Sequence, residues 1–73
     1  MDVVLVRWPE EEARLRQLRA ARVPRLLLLN AVSAPPELAD CLEDWIRLPA
    51  GDRDVGARAA SLAVRAEPDA PTT

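Results

Sequence analysis

The chain contains no histidine, lysine, tyrosine or phenylalanine, and its only cysteine is Cys41. Without imidazole and with one thiol, the usual constellations for zinc binding and nucleophilic catalysis cannot be assembled. Gly51 and Gly56 are the only glycines, so no glycine-rich phosphate loop exists either. These absences predict a domain with no catalytic site, no metal and no cofactor. A lone cysteine excludes an internal disulfide, and no charged-then-apolar leader precedes Val3, which together predict a cytoplasmic location. The longest uninterrupted apolar runs, Val3 to Val6 and Leu26 to Leu29, fall far short of the roughly 18 residues that span a bilayer. No membrane segment is expected.

Aromatic residues are equally scarce. Trp8 and Trp45 are the only two, so a core must be built from Leu, Val and Ala. At 73 residues the chain suits one domain, of a size that buries only about 60% of its unfolded surface. The net charge of -2 and a pI near 5.0 argue against direct nucleic-acid binding, which needs a concentrated positive field. Ten Arg without Lys, with thirteen Ala and seven Pro, match the residue bias of GC-rich actinobacterial genomes.

The run from Val3 to Val6 is short and mostly β-branched, as expected of a strand covered on both faces. Pro9 favours the first turn of a helix, and Glu10, Glu11 and Glu12 place negative charge at the positive end of its dipole. Glu10 and Glu12 stand four residues before Arg14 and Arg16, the favourable order for ion pairs, and Leu15, Leu18 and Ala21 form a narrow apolar stripe. Pro24 disfavours helical geometry at Val23 and ends this helix. Arg25 to Leu29 repeats the buried-strand pattern, and a right-handed crossover makes the two strands parallel neighbours. Ala31 to Asp40, with Ser33, Pro35 and Pro36, predicts a loop, with at most a short helix over Glu37 to Leu42. Trp45 to Leu48 is the third strand, introduced by Glu43 and Asp44 and stopped by Pro49 and Gly51.

Asp52 is a good helix N-cap, and from it Val55, Ala59, Leu62 and Ala66 recur along one helical face. Gly56 inside this helix costs about 1 kcal/mol relative to Ala, for which either the helix start or close packing could account. Residues 67–73 have the composition of a flexible linker to a further domain, leaving 1–66 as the folded unit. The predicted fold class is therefore α/β, a small three-stranded parallel sheet in the order β-α-β-loop-β-α.

This order resembles the second half of a response-regulator receiver domain, from its third strand onward. DVVLVRWP supplies the acidic Asp2, the apolar strand and Pro9, but Arg7 falls near the place of the receiver's phosphoacceptor. RLLLLN ends at Asn30 where a receiver strand ends in Thr or Ser, and DWIRLPA has Leu48 before Pro49 where a receiver has Lys. The resemblance implies a truncated, phosphorylation-independent receiver-like domain of actinobacterial type, at the N-terminus of a winged-helix transcription regulator. Arg7, Asn30 and Leu48 would be the degenerate remnants of its phosphorylation site. DNA would be bound by a following domain.

Several residues carry an expectation beyond the scaffold. The run Glu10 to Glu12 is a solvated helix start rather than a metal site, because adjacent helical residues point in different directions. Cys41 is expected to be a small buried hydrophobe. Arg7, Trp8 and Asn30 lie at the carboxyl edge where open α/β sheets bind ligands, and form either a structural cap or an edge for an anion or a partner. Trp45 and Ile46 should point to opposite faces, with Trp45 either in the core or at an interface. Two free sheet edges and a small core predict a homodimer. Its candidate contacts are Trp45, Val55, Ala59, Leu62, Ala63 and Ala66.

Overall fold

The computed structural model describes residues 2–66. Five elements follow in order: β1 (Val4–Trp8), α1 (Glu12–Ala20), β2 (Arg25–Leu29), β3 (Glu43–Arg47) and α2 (Asp52–Ala66). The sheet is parallel throughout, in the order β1-β2-β3, so the fold is the expected α/β arrangement. Val4 lies opposite Arg25, and Arg25 opposite Glu43.

Side-chain alternation along the strands builds a separate core on each face. On one face Val6, Leu27 and Leu29 enclose Leu15 of α1, with Val4, Trp8, Leu18 and Trp45 packed around them. On the other, Leu26 and Ile46 receive Leu62 of α2, with Val3, Leu28, Ala50 and Val55 alongside. The central strand β2 is covered on both sides, which is why it reads RLLLL without alternation. Trp45 and Ile46 do take opposite faces.

The differences from expectation lie at element ends. The first strand is Val4–Trp8 rather than Val3–Val6, because β1 pairs residue for residue with all five positions of β2. The helix after it begins at Glu12, not at Pro9: the Glu11 N–H donates to the Arg7 carbonyl at 2.8 Å and the Glu12 N–H to that of Pro9 at 3.2 Å, a tight turn that carries the chain out of the sheet. Glu10 therefore precedes the helix, and the ion pair formed there joins Glu11 to Arg14 at 3.6 Å instead of Glu10 to Arg14 or Glu12 to Arg16. The same helix stops at Ala20, before Pro24 can act. The Val23 N–H bonds to the Leu18 carbonyl at 3.0 Å and the Arg22 N–H to that of Arg19 at 3.2 Å, a Schellman closure with Arg22 left-handed at φ 55°. Ala21 is its exposed cap rather than part of the buried stripe.

No helix forms over Glu37 to Leu42. The Ala39 and Leu42 N–H groups bond instead to the carboxylates of Glu43 and Asp40, at 3.1 and 2.9 Å. The third strand is Glu43–Arg47 rather than Trp45 to Leu48, since Glu43 and Asp44 pair with Arg25 and Leu26. The last helix has the expected span, but its N-cap is Gly51, whose carbonyl accepts the Asp54 and Val55 N–H groups at 3.0 and 3.1 Å. Asp52 lies inside the first turn, where its charge favours the dipole. A Cβ on Gly56 would meet nothing within 4 Å, so neither the helix start nor packing within the chain requires glycine there. The expected linker, 67–73, lies outside the described residues.

Candidate functional site

Three parallel strands end on the same side of the sheet, so the residues that follow them converge. Arg7 at the end of β1, Asn30 after β2 and Leu48 after β3 line one open cleft of about 490 Å³, together with Glu10 and Pro49. The three positions singled out by the receiver resemblance are thus neighbours in space. The Arg7 guanidinium makes no ion pair among the described residues, while its backbone N–H donates to Glu11 Oε1 at 2.8 Å. Asn30 Oδ1 accepts the N–H groups of Val32 and Ser33, at 3.0 and 2.7 Å, and so starts the loop. The cleft therefore offers the Arg7 guanidinium and the Asn30 amide as donors, and Glu10 as its one carboxylate. No hydroxyl, thiol or imidazole lines it.

Trp8 does not join this cleft. Strand alternation turns its ring to the opposite face, into the cluster around Leu15, and its indole Nε1–H donates to the Ala34 carbonyl at 3.1 Å. Beside it, Arg47 Nη1 donates to the carbonyls of Asn30 and Ser33, both at 2.9 Å, and its guanidinium lies 5.7 Å from the centre of the Trp45 ring. Trp8 and Arg47 thus fasten the start of this loop to the sheet. Trp45 is half-buried against the cluster around Leu15.

The candidate contact face of α2 is partly turned inward. Leu62 is fully buried against Leu26 and Ile46, and Val55 packs on the same cluster. Ala59, Ala63 and Ala66 are partly exposed on the same helix. Cys41, expected to be buried, is exposed in the turn before β3, where Asp40 and Leu42 rather than the thiol face inward.

The most elaborate polar cluster lies at the opposite, amino edge of the sheet, among residues that no motif in the sequence singles out. Arg25 and Glu43 begin adjacent strands in register, and both are buried. Arg25 Nε donates to Glu43 Oε1 at 2.8 Å, Nη1 to the Val23 carbonyl at 2.9 Å, and Nη2 to Asp40 Oδ1 at 2.9 Å. Arg19 from α1 completes the group with a two-pronged contact to Glu43, at 2.8 and 2.7 Å. Burial pushes the Glu43 carboxyl up, but hydrogen bonds from Arg19, Arg25 and the Ala39 N–H outweigh it and hold the group below its ordinary value. Asp40 is held low in the same way, burial being overcome by Arg25, the Leu42 N–H and the charge of Arg22. The hydrogen bond to Glu43 raises Arg19. No buried side-chain polar atom among the described residues lacks a partner, so this network is closed upon itself. It staples α1, β2, β3 and the 31–42 loop together. The available signal was the pairing of two charged residues, each at the first position of a strand.

A further open groove of about 660 Å³ runs between β3 and α2, where Arg58 approaches Asp44 at 3.4 Å. No described helix is long and apolar enough to cross a membrane. No family model matches the chain, and no curated protein or solved structure matches it significantly.

Proposed function

We propose that this chain is a non-catalytic, receiver-like regulatory domain that acts by homodimerising, independently of phosphorylation, within a transcription regulator whose DNA-binding domain follows the linker composition of 67–73. The observation that carries the proposal is the convergence of Arg7, Asn30 and Leu48 in one cleft at the carboxyl edge of an all-parallel sheet with a helix on each face. A switch would require a phosphoacceptor carboxylate at the end of β1. A guanidinium stands there instead, and it neither accepts a phosphoryl group nor binds the divalent cation such chemistry uses.

Sedimentation equilibrium tests this reading. The expected result is a dimer whose dissociation constant is unchanged by beryllofluoride with Mg²⁺. A strict monomer at high concentration, or a dimer that forms only with beryllofluoride, overturns it.

The Arg7 guanidinium, without an ion-pair partner among the described residues and lining the same cleft as the Asn30 amide, favours a second reading, in which this cleft binds a small anion or an acidic partner loop. Titration with inorganic phosphate, followed by amide chemical shifts at Arg7, Asn30 and Leu48, tests it. Saturable shifts confined to those residues support it, and their absence at millimolar phosphate eliminates a free anion as the ligand.

A further inference from the structure

The two edges of the sheet are not equally open. Alternate residues of an edge strand turn their N–H and C=O groups away from the sheet. On β3, the Arg25 N–H reaches the Leu42 carbonyl at 2.9 Å and the Leu48 N–H that of Leu29 at 2.7 Å, so Glu43, Trp45 and Arg47 face outward. Two of their three N–H groups are already taken. Glu43 donates to the Asp40 carbonyl at 3.3 Å, and Trp45 to Asp44 Oδ1 at 2.8 Å. The strand sequence EDWIR adds charge along that edge, a common way of blocking strand addition.

On β1, the Val4 N–H donates to the Pro24 carbonyl at 2.9 Å, so Val3, Leu5 and Arg7 face outward. Glu11 closes Arg7 completely: its carboxylate accepts the Arg7 N–H and its own N–H donates to the Arg7 carbonyl, both at 2.8 Å. Val3 and Leu5 keep both outward groups without a protein partner among the described residues. Their side chains are apolar, and that of Leu5 is 43% exposed.

We infer that Val3 to Leu5 pairs antiparallel with the same segment of a second copy, about a two-fold axis through Val4. This inference rests on the dimer reading above and assigns its surface. The occupant is a second copy because the open edge is self-complementary: a donor and an acceptor at Val3 face a donor and an acceptor at Leu5 of the other chain. In this register both outward groups of both residues are paired, in four hydrogen bonds. The Val3 and Leu5 side chains meet across the interface on one face. The two Val4 side chains meet on the other, as a non-hydrogen-bonded pair with Cα atoms about 4.5 Å apart. Shifting the axis to Leu5 would set Val3 against Arg7, whose groups Glu11 already holds. The product is a continuous six-stranded sheet, ended on both sides by the partly sealed β3 edges.

Two variants test the register. Leu5→Pro removes an N–H that points away from β2, so the internal ladder is preserved while the intermolecular one is cut. Its dimer dissociation constant should rise at least tenfold in sedimentation equilibrium, with far-UV circular dichroism unchanged. Val4→Cys in a Cys41→Ser background places two thiols at a separation a disulfide spans, and mild oxidation should trap most of the protein as a covalent dimer. Asp44→Cys in the same background should stay uncrosslinked. If the unaltered chain dimerises but Leu5→Pro has no effect and Val4→Cys does not crosslink, the β1 assignment alone is overturned. If the unaltered chain is monomeric at every concentration, the dimer reading falls with it.

Discussion

Arg25 and Glu43 face each other across β2 and β3, joined from Nε to Oε1 at 2.8 Å, and neither reaches solvent. An ion pair at the first residues of two parallel strands fixes their register as well as their charge. A one-residue slip would bury Arg25 against Asp44 or Leu42 and turn every β3 side chain to the wrong face. Replacing Glu43 would leave Arg25 with only Asp40 and the Val23 carbonyl, in a site closed to solvent.

Glu43→Ala should therefore destabilise the domain by about 3–5 kcal/mol, the cost of stranding a buried charge. Since a small domain has a total stability at the low end of about 5–15 kcal/mol, urea denaturation should find the variant with a folding free energy of only about 0–2 kcal/mol left and a midpoint close to zero denaturant. Arg14→Ala, which removes only the exposed contact to Glu11, should change stability by less than about 1 kcal/mol.

Acid should act through the same cluster. The carboxyls of Glu43 and Asp40 are held below their ordinary values of 4.5 and 3.8, so the unfolded chain takes up their protons first as pH falls. Their contribution is fully present above those ordinary values and is lost as pH drops through the lower, folded ones. Urea midpoints should be level from pH 7 to about 5 and decline below about 4. Glu43→Gln should flatten that decline, and an unchanged acid profile in this variant would show that other carboxylates control it.

Trp8 connects core and loop. Trp8→Phe keeps an aromatic ring in the cluster around Leu15 but removes the donor to the Ala34 carbonyl, for an expected loss of about 0.5–1.5 kcal/mol. The loop should respond before the sheet does. Hydrogen exchange should accelerate in residues 31–34 with β2 amides little changed, whereas uniform acceleration would mean that Trp8 acts through the core alone.

Arg22 closes α1 in a left-handed conformation that favours glycine. Its side chain is 68% exposed and reaches Asp40 only at 3.9 Å, a weak surface contact. Arg22→Gly should raise the urea-derived stability by up to about 1 kcal/mol. A loss would show that the charge of Arg22 near Asp40 outweighs the backbone strain.

Much of the architecture was legible in the chain. Apolar runs at β1 and β2, the Leu15 and Leu18 stripe between them, the Trp45 and Ile46 pair before Pro49 and the four-three-four recurrence from Val55 to Ala66 place two helices and three parallel strands in order. The carboxyl-edge cleft was partly legible, because parallel strands must bring the residues after them to one side: Arg7, Asn30 and Leu48 follow from topology alone. Trp8 leaves that edge because adjacent strand residues face opposite sides, and Arg7 already takes the side of the cleft.

Sequence patterning by itself determined the α/β class, the element order and the material of the core, since periodicity and proline act locally. Composition likewise fixes the side chains any site can draw on: no imidazole, one thiol and two glycines. Only the tertiary structure decided that Arg25, Glu43, Arg19 and Asp40 form one buried network, that Cys41 faces out, and that Glu11 and Asp44 seal parts of the two edges. Each of these depends on register between segments distant in the chain, and register is set by the packing of both sheet faces at once.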